Sequence, residues 1–295
     1  MLALKYVGMM GNQMFQYAWS RILARRLGYS LAVPSIEGFP TTADKITGIV
    51  RTGDWIHIQN KFCLLFEEVE ELAREGRPLL VHKSHLENYS VLAPYRETIR
   101  TWFQFAETQI ETMEFRSYRN GWHKAALKEL TPSDLVINIR LGNYLRPNHQ
   151  FRLLLYDYFS LILKRHPHDR LIVTSDSIDH PLLLPFASPR TFYLFAKHRW
   201  ETLSLIRKAS NVAISQSTFS WWAGYLSDAV NVYFPIPKTG VWTLEWVKQK
   251  GLDLRVREAR YKYVDYQNGV IFPCFADAFP EEAALHGRVL PHASI

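Results

Sequence analysis

Of the residue patterns that most quickly reveal a protein's chemistry, most are missing from this chain of 295 residues. Its 2 cysteines, Cys63 and Cys274, are too few for a disulfide framework, and neither sits in a CxxC pair. A reducing compartment suits such a chain. No run of about 18 apolar residues occurs, so no membrane-spanning helix is expected. The opening MLALKYVGMMGNQMF has no basic region followed by a sustained apolar run, so no secretion leader is expected either. HExxH and closed sets of metal-ligand spacing are absent, as is a DxD pair of the kind that holds a divalent cation in many transferases. The first glycine turn is not GxGxxG, and there is no GxxxxGK[ST] loop. Those absences count against dehydrogenase and P-loop NTPase readings. There is no repeat of 20–50 residues and no low-complexity tract.

The composition is globular, 47% hydrophobic and 21% charged. The length fits two domains. The formal charge is +7, from 35 Lys and Arg against 28 Asp and Glu. A modest basic excess suits an anionic partner, such as a nucleotide diphosphate or an acidic membrane surface, or simply a solvated basic surface. No Lys/Arg run interleaved with aromatics marks a nucleic-acid groove, and no nucleic-acid partner is expected. Aromatics make up 14% of the chain. They stack on sugars and bases, but they fill cores more often.

Periodicity predicts an alternating α/β chain. A short strand over residues 2–7 runs into the glycines Gly8 and Gly11. Phe15, Ala18, Trp19, Ile22 and Leu23 then carry a helical stripe. From residue 135 strands and helices alternate: strands near 135–139, 171–174, 212–214 and 230–234, and helices near 156–165, 201–209 and 219–226. That order implies a parallel sheet. The boundary is expected near residue 128. It separates an N-terminal Rossmann-like domain, 1–128, from a C-terminal one, 129–295, with a basic, aromatic tail.

Three segments carry chemistry. Gly8 to Tyr17 reads GMMGNQMFQY. A glycine turn lets backbone approach a ligand, and the helix start behind it offers free N–H groups to an anion. Gly11, Asn12 and Gln13 are the candidates here. Asn138 to Tyr144 reads NIRLGNY at a strand's carboxyl end, where α/β sheets bind ligands. Arg140 there serves either a diphosphate, through its planar fork, or an ion pair. Ser215 to Leu226 reads SQSTFSWWAGYL. Ser217 and Thr218 cap the helix, bind phosphate, or do both. The sequence places Trp222 inward with Phe219, and Trp221 toward a cleft. Thr174-Ser175-Asp176 ends another strand. Asp176 is a candidate for the ribose, the acceptor or a general base, or is a plain turn aspartate. Glu201, at a helix start, either contacts a nucleobase or favours the helix dipole.

These strings, in this order, resemble the α-1,2-fucosyltransferases of glycosyltransferase family 11. The first matches that family's GxxGNQxFQY almost residue for residue, and the third matches NSSFSWWxAWL. The second resembles HxRRxDY but departs from it: Asn138 replaces the histidine, Leu141 the second arginine and Asn143 the aspartate. Arg140 and Tyr144 are kept.

The resemblance implies a GT-B-like fold, with two Rossmann-like domains and a cleft between them. It implies inverting, metal-independent transfer of fucose from GDP-fucose to a galactose-type hydroxyl of a bacterial surface glycan. Arg140 would hold the donor β-phosphate, with Asn12 and Asp176 as further catalytic candidates. Gly11, Gln13, Asn138, Tyr144, Glu201, Ser217, Thr218, Phe219, Ser220 and Trp221 would bind substrate. Where the family has an acidic residue for the guanine edge, this chain has Thr202, with Glu201 one place earlier. No metal or other cofactor is expected. The expected location is the cytoplasm, free or peripheral at the inner membrane. A different nucleotide-sugar donor, or a binding homologue without turnover, are the competing readings. The sequence sets neither acceptor nor oligomeric state.

Overall fold

The computed structural model describes residues 1–39, 55–74, 76–104, 109–146, 153–154, 156–238 and 242–286. The end of the C-terminal tail, from residue 287, lies outside the described residues. The chain forms two compact units.

The first unit contains residues 1–105 and takes back 247–255 late in the chain. Its strands are β1 (Leu2–Leu4), β2 (Leu31–Ala32), β3 (Ile56–Gln59) and β4 (Leu79–His82). They form a parallel sheet in the order β2-β1-β4-β3. The helices are α1 (Met10–Leu27), α2 (Phe66–Ala73), α3 (Tyr89–Leu92) and α4 (Arg96–Trp102). In α1 the predicted stripe of Phe15, Ala18, Trp19, Ile22 and Leu23 is wholly buried, as an amphipathic helix packed on a sheet requires. Gly28 ends α1 at φ 65°, where the N–H of Tyr29 reaches back to the carbonyl of Ala24 at 2.8 Å. That left-handed closure is the reason a glycine stands there.

The second unit spans residues 106–246 and resumes at 256. Its strands are β5 (Phe115–Tyr118), β6 (Trp122–Ala125), β7 (Leu135–Ile139), β8 (Leu171–Ser175), β9 (Thr191–Leu194), β10 (Asn211–Ala213), β11 (Asn231–Pro235), β12 (Tyr261–Asp265) and β13 (Val270–Phe272). Helices α5 (Tyr156–Arg165), α6 (Arg199–Arg207) and α7 (Thr218–Leu226) alternate with them. The helix α8 (Leu244–Lys250) crosses the division between units, and α9 (Phe275–Ala278) and α10 (Pro280–His286) follow the last strand. The sheet order is β13-β12-β11-β10-β7-β8-β9-β5-β6. From β12 to β9 the pairing is parallel throughout, and β13, β5 and β6 add antiparallel edges.

Counted in chain order from β7, the parallel strands run 3-2-1-4-5-6. That is the doubly wound Rossmann order, and its switch point falls between β7 and β10. All five residues of β7 are buried, as expected of a strand covered on both faces. Its Leu135, Ile137 and Ile139 pack with Tyr158, Phe159, Ile162 and Val173 in one core.

Two Rossmann-like α/β units therefore match the expected class. The boundary needs correction. β5 and β6 precede residue 128, yet β5 pairs with β9, so the division falls at 105/106. Nor is the C-terminal segment a simple tail. Tyr261 and Tyr263 of β12 are fully buried, and residues 247–255 belong to the first unit. Among the described residues no helix is long and apolar enough to cross a membrane.

Candidate functional site

In the second unit, three adjacent parallel strands, β8, β7 and β10, deliver their carboxyl ends to one place. The chain leaves β7 toward β8 and leaves β10 toward β11, in opposite directions. A crevice opens where neighbouring strands part in this way, and α/β sheets bind ligands there.

Arg140 is the first residue beyond β7. Its guanidinium donates from Nη1 to Asp176, just beyond β8, and from Nη2 to Asn143 Oδ1 at 2.8 Å. Asp176 also accepts the backbone N–H of Leu141 at 2.8 Å. Gly142 holds φ 28°, and a Cβ there would run into the Asp176 carboxylate. The turn can therefore carry only glycine without displacing the aspartate. Tyr144 lies beneath the guanidinium, 5.5 Å from ring centre to Cζ, a cation–π distance. Its hydroxyl donates to the carbonyl of Gln216 at 2.9 Å. Arg140, Asp176 and Tyr144 are thus brought together, and Tyr144 links them to the loop before α7.

Asn138 is a polar residue in an otherwise apolar strand. A buried amide needs partners. Its Nδ2 donates to Thr174 Oγ1 at 2.8 Å, and its Oδ1 accepts from the Ser220 hydroxyl. Ser220 Oγ also lies 2.9 Å from Ser215 Oγ. One closed network therefore ties β7, β8 and the start of α7. Ser217 caps α7, accepting the Ser220 N–H at 3.1 Å. Thr218 and Phe219 form the half-buried first turn. The positive end of the helix dipole at such a turn favours an anion.

The expected placing of the tryptophans is corrected. Trp221 and Trp222 are both fully buried, and Phe219 is the half-buried one. Trp221 stacks on Tyr225 at 4.7 Å and meets Trp222 edge-on at 5.1 Å. An indole that large fills the core and does not line a binding surface.

Glu201 stands apart from this group. Its Oε2 accepts the backbone N–H of Lys197 at 2.7 Å and of His198 at 3.2 Å. This is the N-terminal capping arrangement of α6. Thr202, next to it, is buried.

The first unit gathers its own set of candidates. Gly8 takes φ 75°, and a Cβ there would lie 2.8 Å from Asn12 Oδ1. The glycine lets Asn12 lie against the turn. Gln13 donates to the carbonyl of Gly8 at 3.2 Å, and Gly11 is buried at the helix start. Two functions were missed in the sequence. Gln16 pairs with both backbone groups of Val7, at 3.0 and 2.8 Å, and so fixes the segment between β1 and α1. Asn12 donates to Glu87 at 2.7 Å and lies 3.2 Å from His85. The only sequence signal for that pair was a largely polar stretch, Lys83 to Asn88 with Leu86 inside it, after an apolar strand.

No protein-family model matches the sequence, and no curated protein matches it. Among solved structures, the chain is similar to NodZ, an α-1,6-fucosyltransferase soaked with GDP-fucose. The TM-score is 0.47 and the identity 12%, over 78% of this chain and 93% of that one. It is also similar to a mutant FUT1 of Arabidopsis thaliana in complex with GDP. There the TM-score is 0.43 and the identity 11%, over 78% of this chain and 68% of that one. Likeness of this extent leaves the chemistry to be argued from the chain's own residues.

Proposed function

We propose that this protein is an inverting glycosyltransferase that moves fucose from GDP-fucose to a galactose-type hydroxyl of a bacterial surface glycan, in α-1,2 linkage and without a metal ion. The observation that carries the reading is the position of Arg140. It sits at the switch point of a doubly wound sheet, joined through Tyr144 to the loop that starts α7. Its sequence context, GxxGNQxFQY, NIRLGNY and SQSTFSWW, resembles one transferase family. Metal independence rests on the lack of a DxD pair in the sequence.

In this reading the second unit holds the donor. The acceptor oxygen attacks the anomeric carbon while the bond to the β-phosphate oxygen breaks, and negative charge grows on the diphosphate. Arg140 and the first-turn amides of α7 meet that charge. Much of the rate then comes from positioning. Asn143 bears on the strength of the site. An aspartate at that place would set a second carboxylate against Arg140, beside Asp176, whereas the amide adds no further negative charge.

A second reading, with another nucleotide donor, is favoured by one observation. The Glu201 carboxylate is engaged by backbone N–H groups, and Thr202 is buried. Neither offers an acidic side chain to guanine.

Calorimetric titration with GDP, UDP and GDP-fucose, with EDTA present throughout, tests the reading. Metal-free binding of GDP in preference to UDP is the expected result. Equal binding of UDP would end the guanine assignment, and binding with no turnover of any donor would leave a sugar-nucleotide-binding protein.

A further inference from the structure

Helix α1 of the first unit carries arginines of two kinds. Arg26 is neutralised. It donates from Nε and Nη2 to Glu70 at 2.5 and 3.1 Å, and from Nη2 to Glu67 at 3.1 Å. Arg21 and Arg25 stand four residues apart, so they share one face of the helix. Among the described residues neither pairs with a carboxylate. Both guanidiniums lie against the ring of Trp102 instead, with Cζ 4.4 Å from its centre for Arg21 and 5.1 Å for Arg25.

The indole is a fixed platform. Trp102 is buried and meets the fully buried Tyr17 edge-on at 6.3 Å. The Tyr17 hydroxyl accepts one N–H of Arg21 at 2.6 Å. A guanidinium laid against a ring uses its flat face there and keeps its in-plane N–H groups for a further acceptor. Arg21 is half-buried and Arg25 exposed. Burial lowers the pKa of Arg21, Tyr17 opposes that shift, and the charge of Arg25 lowers it further. Like charges one helical turn apart repel, and an anion shared between them relieves the repulsion. The helix dipole favours Arg25, in the last turn of α1, but Arg21 stands a turn earlier.

We propose that Arg21 and Arg25, held against Trp102, form a binding site for a phosphate group. The site is built from the first unit alone and needs nothing from Arg140. Phosphate is the fitting class because a planar fork binds two of its oxygens at once, and two forks match its charge. The group belongs either to an anionic phospholipid headgroup or to a small soluble phosphate, which present the same oxygens. As a headgroup it would seat the first unit on an acidic bilayer, where each basic residue near the surface strengthens binding.

The test uses the full chain and two probes. One is a flotation assay with phosphatidylglycerol vesicles, with phosphatidylcholine vesicles as the blank. The other is calorimetric titration with inorganic phosphate. Arg25→Gln is expected to weaken binding about fivefold, and Arg21→Gln with Arg25→Gln about 25-fold, the effect of one and of two basic residues at an acidic surface. Phosphate held elsewhere on the chain is what the double variant retains. Arg26→Gln removes the same charge from the neighbouring position and should leave binding within about twofold. A loss confined to the vesicles identifies a headgroup, and a loss in the phosphate titration alone identifies a soluble phosphate. If the double variant fails to fold, Arg25→Gln, a change at an exposed residue, decides. Wild-type protein that binds neither probe overturns the proposal. So does binding that the arginine changes leave intact, or an equal loss in Arg25→Gln and Arg26→Gln, which would reveal bulk charge and no site.

Discussion

Arg140 donates to the carboxylate of Asp176, and that same carboxylate accepts the backbone N–H of Leu141. One acidic side chain therefore fixes both the arginine and the turn it stands on. The pair is part-exposed, 21% and 26%. A pair so placed contributes up to about 1 kcal/mol to stability, so its conspicuous role is orientation.

Asp176→Ala and Asp176→Asn should therefore differ in function more than in stability. The alanine variant loses both acceptors and should lower kcat/KM for the donor about 30-fold, since misplacement of a catalytic group by about 1 Å can cost 100-fold. The asparagine variant can still accept the Leu141 N–H through its carbonyl and should lose less. Both should melt within about 3 °C of wild type by calorimetry. Equal, near-wild-type kinetics in the two would show that Arg140 does not depend on Asp176.

Asn138→Ala should act the other way, on the fold first. The change removes one partner each from the fully buried hydroxyls of Thr174 and Ser220, which keep the Ile137 carbonyl and the Ser215 hydroxyl. Each lost hydrogen bond costs about 0.5–1.5 kcal/mol. Urea denaturation should show an unfolding free energy lowered by about that much for each bond, seen as a lower midpoint with an unchanged slope. GDP affinity should weaken as well, because the same network holds the start of α7.

How far the sequence predicted this arrangement depended on how local each cause was. The glycine turn, the strand Leu135–Ile139 and the cap Ser217 follow from neighbours within a few residues, and they stand where their patterns implied. The domain boundary does not. It is set by β5 pairing with β9 far along the chain, and two short polar strands give no such hint. His85 and Glu87 escaped notice because Asn12, their partner, is 75 residues from Glu87.

The tryptophans are a case of adjacent positions. Neighbours on a helix point about 100° apart, which suggested that only one could be inward. The helix α7 is covered on most sides, so both are. Trp221→Ala should cost about 3–5 kcal/mol, as other large-to-small core changes do. Phe219→Ala should cost clearly less, with the loss showing in donor affinity. A stability ranking of Phe219 above Trp221 would contradict the packing seen.

His166 gives the fold a pH dependence. Burial lowers its pKa below the usual 6.5, with His168 adding to the effect. Its Nδ1 lies 2.8 Å from the Tyr233 hydroxyl, and its Nε2 is buried with no hydrogen-bond partner among the described residues. The unfolded chain binds this proton more readily than the folded one. Stability is therefore full above pH 6.5 and declines as pH falls below it, toward the lowered folded value. His166→Gln should flatten this part of the stability–pH curve measured by thermal melting. A curve of unchanged slope between pH 7 and 5 would show that other groups set it.

Glu201 allows the base preference to be separated from the fold. Its carboxylate caps α6 through two backbone N–H groups. If that is its whole task, Glu201→Ala should cost about 0.5–2 kcal/mol, the usual loss of a helix cap. The ratio of GDP to UDP affinity should stay within about twofold. A carboxylate that read guanine would behave differently. Its two N–H contacts are charge-assisted hydrogen bonds, about 1.5–3 kcal/mol each, and their loss would cut GDP affinity more than tenfold while leaving UDP unaffected. Melting temperature and the two titrations, run on the same variant, distinguish a cap from a base-reading residue. The bonds made by Glu201 point to the cap.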